Sequence, residues 1–290
     1  MSLNPRSIAS FLRWRVVPVR MAGRAKQLRP RHITRALTTR RGKPVSEVGK
    51  AIERSGYCVG KPMPADVLEQ ITALIEPRFA SAPASTNSHT FVNLMQDEDY
   101  TVDSPIIRYA FSKDVLDPAL DYFGNRTRLY AIQLLWSFPH NGPLRESQKW
   151  HRDFSDSRCL HNITYLNDIR SEAGGPLMFV DKDDSAKVKG SPFIRRIEDD
   201  TFYSEVGHSE PITVLGDAGT TVLMDPAACY HCGSRCKSPR LALFVSFNSD
   251  LPYVSETAPI SRHADALMAA GRELRPDLPD DIWPMLVGQA

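Results

Sequence analysis

The chain has 290 residues, of which 42% are hydrophobic and 24% charged, and this ordinary globular composition excludes a wholly disordered chain, a collagen and a coiled coil. No apolar run reaches the roughly 18 uncharged residues of a transmembrane helix. Five cysteines are present, three of them within eight residues, which argues against a secreted disulfide framework and for a reducing compartment. We therefore expect a cytoplasmic protein.

Charge is distributed unevenly along the chain. Residues 1–46 carry twelve Lys or Arg and no Asp or Glu, whereas the remainder carries 24 basic and 34 acidic residues. We predict a basic N-terminal arm over residues 1–44 and one folded domain over residues 45–290. The arm lacks the long apolar core of a secretory signal. Its composition is typical of a mitochondrial presequence, of a surface for a polyanion, a membrane or a carrier, and of an ordered extension packed on the acidic body.

Helical patterns come first along the domain, and strand patterns follow. Apolar residues recur at helical spacing from Val67 to Ile75 and within Ser112–Phe123, which Gly124 ends. The predicted strands are Leu129–Phe138, Leu160–Leu166, Pro176–Val180, Ile212–Leu215, Thr220–Met224 and Leu241–Asn248. The polar segment Asp181–Glu210 is predicted to be a long loop, and Ser261–Leu274 a final helix. Because helices do not alternate with the strands, we expect an antiparallel sandwich or jelly roll with supporting helices.

A candidate metal site begins at His151 and Asp153. Residues two apart in an extended chain project from the same face, so this imidazole and this carboxylate can bind one ion together. The pair alone is a weak signal, because one such tripeptide is nearly expected by chance. It gains weight from His231, which follows a glycine-flanked strand. Two histidines and one carboxylate leave three positions of an ion open, as in non-haem Fe(II) oxygenases.

Those open positions suit a chelating 2-oxo acid and O2, and the far carboxylate of the acid needs a fixed cation. Arg240 is at the start of a predicted strand. On its face of that strand, alternate residues such as Ala242 and Ser246 have smaller and more polar side chains than those on the other face. We expect that face to point inward. Arg235 falls in the turn over residues 233–239, which we expect to be exposed. Arg240 is therefore the candidate for binding the cosubstrate.

These motifs together resemble the phytanoyl-CoA dioxygenase family, from about Gly56 to Asn248. The resemblance is carried by Trp150-His151-Arg152-Asp153, by Gly174-Gly175-Pro176-Leu177-Met178-Phe179-Val180, by Gly216-Asp217-Ala218-Gly219, and by His231 with Arg240. It implies a mainly β fold with flanking helices and a double-stranded β-helix (jelly-roll, cupin-like) core. It also implies iron held by His151, Asp153 and His231, and 2-oxoglutarate held by Arg240. His161, on the next strand, either faces the 2-oxoglutarate or is satisfied elsewhere.

The resemblance implies an Fe(II)- and 2-oxoglutarate-dependent dioxygenase that uses O2 to oxidise a C–H bond of a small molecule. Hydroxylation is the default outcome, and desaturation, ring closure or epimerisation would use the same residues. No P-loop, dinucleotide fingerprint or serine-hydrolase motif is present, and nucleic-acid binding has only the arm in its favour.

Three alternatives stay open. The first is a zinc site formed by Cys229, Cys232, Cys236 and His231. The second is a non-catalytic, cupin-like protein that binds a metal or another ligand. The third is a tailoring oxygenase that docks on a membrane or carrier through the arm. The compartment would be mitochondrial instead of cytoplasmic if residues 1–44 are a presequence.

Overall fold

The computed structural model describes residues 42–81, 90–139, 141–189 and 196–289, apart from the side chains of residues 80 and 81. The predicted basic arm, residues 1–44, lies outside these ranges except for its last three residues. Within the described residues, no helix is long and apolar enough to cross a membrane.

Two antiparallel sheets form the centre of the structure. The strands are β1 (Tyr57–Val59), β2 (Phe91–Asn93), β3 (Thr127–Ser137), β4 (Cys159–Tyr165), β5 (Met178–Phe179), β6 (Ile212–Thr213), β7 (Thr221–Met224), β8 (His231–Cys232) and β9 (Arg240–Ser249). The larger sheet has the order β1-β7-β4-β9-β3-β2, and the smaller one has the order β6-β5-β8. Each neighbouring pair is antiparallel. The mainly antiparallel fold expected from the sequence is confirmed.

Helices flank the sheets. They are α1 (Glu47–Ser55), α2 (Ala65–Ser81), α3 (Pro105–Ala110), α4 (Lys113–Phe123), α5 (Lys182–Lys187), α6 (Asp199–Val206), α7 (Ala258–Arg262), α8 (Ala264–Leu274) and α9 (Ile282–Leu286). Gly124 ends α4 with a φ of 62°, a left-handed conformation that favours glycine, as its place in the sequence predicts. The predicted final helix is two helices, α7 and α8, because the chain turns at His263.

The two faces of β9 separate the helix-packed core from a cavity. Leu241, Leu243, Val245 and Phe247 are buried in the main hydrophobic core, to which the helices α2, α3, α4, α8 and α9 also contribute. Arg240 and Phe244, on the alternate face, line the cavity between the two sheets. Side chains alternate along a strand, so this register follows from the pattern of the sequence.

The segment 181–210 is not a loop throughout, and that prediction is wrong. Its first helix, α5, begins after Asp181, whose side chain accepts a hydrogen bond from the Asp184 backbone N–H at 2.8 Å. Its second helix, α6, buries Phe202, which stacks on Trp150 with a ring-centroid distance of 3.9 Å. Only two residues of α6 are buried, Phe202 and Val206, and so short a helix leaves too little periodicity in the sequence to be recognised.

Candidate metal centre

Backbone pairing brings His151 and His231 together. The His151 N–H donates to the His231 carbonyl at 2.9 Å, and the His231 N–H donates to the His151 carbonyl at 2.9 Å. The Asp153 N–H donates to the carbonyl of Pro226 at 2.8 Å. All three side chains are therefore positioned by main-chain hydrogen bonds between segments far apart in sequence.

The ligand atoms of these three side chains converge on one point. One imidazole nitrogen of His151, one of His231 and one carboxylate oxygen of Asp153 all lie within 4.8 Å of one another. His151 Nε2 is 3.8 Å from Asp153 Oδ1. Across the described parts of the chain, no other three His, Cys, Asp or Glu side chains converge in this way. The triad predicted from the sequence is thus assembled in space, and its role as a metal ligand set stays a prediction.

Both histidines present the correct nitrogen for a metal. His151 Nδ1 lies 2.8 Å from the carbonyl of Lys149, and His231 Nδ1 lies 3.1 Å from the carbonyl of Cys229. A carbonyl only accepts hydrogen bonds, so in each neutral ring the proton is on Nδ1. The Nε2 lone pairs are left for a metal, which is the usual arrangement of ligating histidines.

The surroundings of His151, His231 and Asp153 keep both imidazoles neutral and the carboxylate ionised. Burial lowers the pKa of His151 well below its ordinary value and also lowers the pKa of His231, so both imidazoles stay neutral. Burial alone would raise the pKa of Asp153, but the neighbouring His231, His161, His151 and Arg196 outweigh it and lower that pKa. The site therefore holds two neutral imidazoles and one carboxylate, the protonation states that metal binding requires.

The triad opens onto a cavity of about 210 Å³ between the two sheets. Its walls are mostly apolar and come from strands of both sheets and from the segments beside them. The apolar lining residues are Phe91, Leu135, Ile163, Leu177, Met224, Pro226, Cys232 and Phe244. Among the described residues, the side chains of charged type that line it are Asp153, Arg196 and Arg240.

Arg240 lies in this cavity as predicted from its strand face, with 3% of its surface exposed. Its Nη1 donates to the carbonyl of Gly175 at 2.8 Å, and its Nε has no hydrogen-bond partner among the described residues. A Cβ at Gly233 would lie 3.1 Å from Nη1, so glycine leaves room for the guanidinium. No carboxylate of the described residues pairs with Arg240. A buried cation with an unsatisfied N–H suits an anionic ligand.

The turn over residues 233–239 is not exposed throughout, and the prediction for Arg235 is wrong. Arg235 is partly buried and forms a two-point ion pair with Asp199 of α6, at 2.7 and 2.8 Å. Its Nε also donates to the carbonyl of Gln148 at 2.7 Å. Arg235 is covered because it is paired with Asp199 of α6, whereas residues 237–239 of the turn are exposed. Arg235 does not line the cavity, and its guanidinium is already committed to protein partners.

His161 faces the cavity, from β4. Its Nε2 is 3.7 Å from Asp153 Oδ2, on the opposite carboxylate oxygen from His151. Burial lowers the pKa of His161 from 6.5 to about 4, so the ring is neutral near pH 7. The structure thus favours the first of the two alternatives for this residue. Its contact with 2-oxoglutarate stays a prediction.

The cysteines do not form a zinc site. Cys229, Cys232 and Cys236 are all buried and free. The thiol of Cys229 points towards the carbonyl of Ser55 at 3.9 Å, whereas that of Cys236 points towards the carbonyl of Gly174 at 3.7 Å. Burial raises the pKa of all three thiols, that of Cys232 to about 12, which disfavours the thiolates that zinc requires. The zinc alternative is therefore wrong, and these residues are packing residues around the site.

The sequence analysis does not find four further polar residues that line the cavity, Gln133, Ser147, Arg196 and Ser234. Gln133 lies on β3 opposite Phe244 of β9 and lines the cavity. It is the polar residue of an otherwise apolar stretch from Leu129 to Leu135, and that break in the pattern was a usable signal. Arg196 comes from the polar segment before α6, where no sequence pattern distinguishes it.

The buried histidines should make the metal-free protein sensitive to acid. The pKa of His161 is about 4 in the folded chain against 6.5 for the free side chain, and His151 and His231 shift in the same direction. Below about pH 6.5, the unfolded chain therefore binds more protons than the folded chain. The free energy of unfolding is highest above that pH and falls as the pH drops towards 4. Urea unfolding of the metal-free protein across this range should show a steady decrease in the free energy of unfolding. The free energy of unfolding should fall less steeply with pH in His161→Asn. An unchanged slope in that variant would contradict the contribution of His161 to the acid sensitivity.

Solved structures match the fold of this chain, whereas no family model and no curated protein matches it. The apo form of EctD from S. alaskensis is 20% identical, with a TM-score of 0.52 over 76% of this chain and 84% of that one. The structure of EctD from S. alaskensis with bound Fe has a TM-score of 0.51 and covers the same fractions of the two chains. EctD with 2-oxoglutarate and 5-hydroxyectoine is 21% identical, with a TM-score of 0.50 over 73% of this chain and 78% of that one. At this level of identity, the similarity shows that the chain has the fold of EctD.

Proposed function

We propose that this protein is an Fe(II)- and 2-oxoglutarate-dependent dioxygenase that oxidises an unactivated C–H bond of a small molecule, with hydroxylation as the default outcome. One observation carries the proposal: the convergent ligand atoms of His151, Asp153 and His231 share one cavity with the buried guanidinium of Arg240. A metal site and a fixed cation in one cavity are what a chelated 2-oxo acid with a distal carboxylate needs.

The donor set fits iron. Two neutral imidazoles and one carboxylate on one side of an ion are the ligands of non-haem Fe(II) enzymes, and they leave the opposite side open. His151 and His231 would each donate an Nε2 lone pair, and Asp153 would supply a carboxylate oxygen. When bound, iron and 2-oxoglutarate supply the oxidation of a C–H bond by O2, with release of succinate and CO2.

Arg240 would bind the distal carboxylate of 2-oxoglutarate. Its Nη1 donates to the carbonyl of Gly175, and its Nε remains to donate. Because the Arg240 side chain is almost fully buried, little water competes for it, and its interaction with an anion is stronger. His161 lies beside Asp153 and would contact the cosubstrate from β4.

The apolar walls would exclude water from the reacting side. Leu135, Ile163, Met224 and Phe244 line the cavity across from or beside the triad. Such walls hold a substrate C–H group near the metal and limit wasteful reactions with water. The substrate itself would be a small molecule, as a cavity of about 210 Å³ implies.

The finer classification is also part of the proposal. Antiparallel sheets on both sides of the cavity support a double-stranded β-helix core. The motifs at His151, Gly174, Gly216 and His231 support membership of the phytanoyl-CoA dioxygenase family. The solved EctD structures with Fe and with 2-oxoglutarate have the same fold and are consistent with both.

Turnover of the cosubstrate tests the proposal directly. Protein loaded anaerobically with Fe(II) and mixed with 2-oxoglutarate and O2 should form succinate slowly even without the substrate. A chelator should stop the reaction, and added Fe(II), but not Zn(II), should restore it. His208→Ala is a suitable control, since His208 is exposed. A fully iron-loaded protein that forms no succinate would show that the cavity binds a metal without this catalysis.

A further inference from the structure

Each residue of the triad is held by a main-chain carbonyl, and the peptide group that supplies this carbonyl is fixed from its other side. The carbonyl and the N–H of one peptide group lie in one plane and point in opposite directions. A hydrogen-bond partner on the N–H therefore determines where the carbonyl points. For Asp153 and His231, that partner is a buried side chain outside the triad.

Asp225 fixes the peptide group that holds Asp153. The carbonyl of Pro226 and the N–H of Ala227 belong to this group. The Ala227 N–H donates to Asp225 Oδ1 at 2.9 Å, and on the other side the Pro226 carbonyl accepts from the Asp153 N–H at 2.8 Å. Asp225 is 2% exposed. Two hydrogen bonds and one peptide group thus join a buried carboxylate to the backbone of Asp153.

The carboxylate of Asp225 is itself held from several sides. Its Oδ1 also accepts from the N–H groups of Ala228 and Cys159, each at 3.2 Å. Its Oδ2 accepts from the hydroxyl of Tyr122, on α4, at 2.7 Å. These partners give the carboxylate a defined position, from which it orients the turn that follows β7.

Ser185 fixes the peptide group that holds His231. The carbonyl of Cys229 and the N–H of Tyr230 belong to this group. The Tyr230 N–H donates to Ser185 Oγ at 2.7 Å, and the Cys229 carbonyl lies 3.1 Å from His231 Nδ1. Ser185 lies on α5, is 1% exposed, and donates its own hydroxyl to the carbonyl of Val180 at 3.3 Å. A buried hydroxyl thus sets the plane of the peptide group beside His231.

His151 has the same arrangement with a main-chain partner. The carbonyl of Lys149 lies 2.8 Å from His151 Nδ1, and the Trp150 N–H of the same peptide group donates to the carbonyl of Ile197 at 3.2 Å. One arrangement therefore recurs at all three residues of the triad. At Asp153 and His231 it depends on a side chain, which a substitution can remove.

We propose that Asp225 and Ser185 are positioning residues of the metal centre: Asp225 orients Asp153, and Ser185 orients His231, each through one peptide group. This inference rests on the function proposed above, because it takes the triad as the metal ligand set. A partner on the N–H also polarises the peptide group and strengthens the hydrogen bond to its carbonyl. Replacing residues that orient metal ligands typically lowers metal affinity about 10–100-fold.

Co(II) affinity tests the role of Asp225. Asp225→Ala removes the acceptor of three N–H groups and should weaken Co(II) binding about tenfold or more. Asp225→Asn keeps an oxygen for these groups, and its amide can donate to the oxygen of Tyr122, so its affinity should stay within about threefold of the wild type. Equal losses in the two variants would assign the effect to the charge of Asp225 and would overturn its role as an orienting acceptor.

Proton magnetic resonance of the Co(II) protein tests the role of Ser185. The Nδ1–H protons of histidine ligands are shifted far downfield by Co(II) and disappear in D2O, so the wild type should show two such signals. Ser185→Ala should move one of them, leave the other in place, and weaken Co(II) binding about threefold or more. Movement of both signals or of neither would overturn the role of Ser185.

Tyr109→Phe is the control for these variants. It removes a buried hydroxyl that lies 2.8 Å from Thr164 Oγ1 and contacts none of the three peptide groups. It should leave the Co(II) affinity and both histidine signals unchanged. Should Asp225→Ala not fold, Tyr122→Phe takes its place, because it removes the partner of Asp225 Oδ2. Co(II) affinity equal to that of Tyr109→Phe would then overturn the role of Asp225.

The wild-type measurement distinguishes this inference from the proposed function. If the folded wild-type protein binds no Co(II), or binds it without histidine signals, the ligand assignment and the proposed function fall together with this inference. If the wild type binds Co(II) through two histidines and the variants behave like Tyr109→Phe, only the roles of Asp225 and Ser185 are overturned.

Discussion

Replacement of His151 or Asp153 by alanine should abolish iron binding and leave the fold intact. Each variant removes one of three ligands, and affinity should fall by about 100-fold or more, since even residues that only support metal ligands cost about 10–100-fold when changed. The fold should survive because the pairing of His151 with His231 is made by backbone atoms, which alanine retains. Iron content after anaerobic loading and desalting measures the effect, and circular dichroism checks the fold.

The exposed His208 again provides a matched control for this experiment. His208→Ala removes an imidazole and should keep one iron per chain. Full iron loading of both His151→Ala and Asp153→Ala, with a native circular dichroism spectrum, would refute the assignment of the ligands.

Replacement of Arg240 by glutamine should weaken 2-oxoglutarate binding about 30-fold or more and leave iron binding nearly unchanged. Truncating one partner of a buried, hydrogen-bonded charge pair costs about 2–5 kcal/mol, and every 1.4 kcal/mol is about tenfold in affinity. Arg240 is almost fully buried and is not a metal ligand, so the loss should fall on the cosubstrate alone. Anaerobic titration of the iron-loaded protein with 2-oxoglutarate gives the dissociation constant.

Arg235→Gln is the comparison variant for Arg240→Gln. The guanidinium of Arg235 binds Asp199 and the carbonyl of Gln148, outside the cavity. Its loss should lower the free energy of unfolding by roughly 1–2 kcal/mol and change 2-oxoglutarate binding little. If Arg235→Gln loses the cosubstrate and Arg240→Gln keeps it, the inward face of β9 is assigned wrongly.

The sequence predicts the parts of this fold that depend on regular alternation. Leu241, Leu243, Val245 and Phe247 alternate with Arg240 and Phe244, and the structure buries the first set in the core and places the second in the cavity. A strand has a period of two, so a few residues determine which face is buried. The pair His151 and Asp153 could be found for a related reason, because residues two apart in an extended chain project to the same side.

The sequence does not predict contacts that arise only when distant segments meet. His231 is a candidate in the sequence and in the family resemblance, but the backbone bridge that brings it to His151, 80 positions earlier in the chain, has no sequence signal. Arg235 looks like an ordinary turn residue until α6 covers it, and the helices of the segment 181–210 carry too few apolar residues to be recognised. Arg196 lies in the same segment.

The bridge between Trp150 and Ile197 has a consequence for how the cavity can change. Ile197 and α6 are attached to the segment that carries His151 by two backbone hydrogen bonds and by the stack of Phe202 on Trp150. A substitution that shifts α6 would displace Trp150 and, through the chain, the neighbouring His151. Changes to the wall that contains Cys232 are therefore constrained, because Ile197 and Phe202 act as anchor points that hold α6 beside the segment of His151.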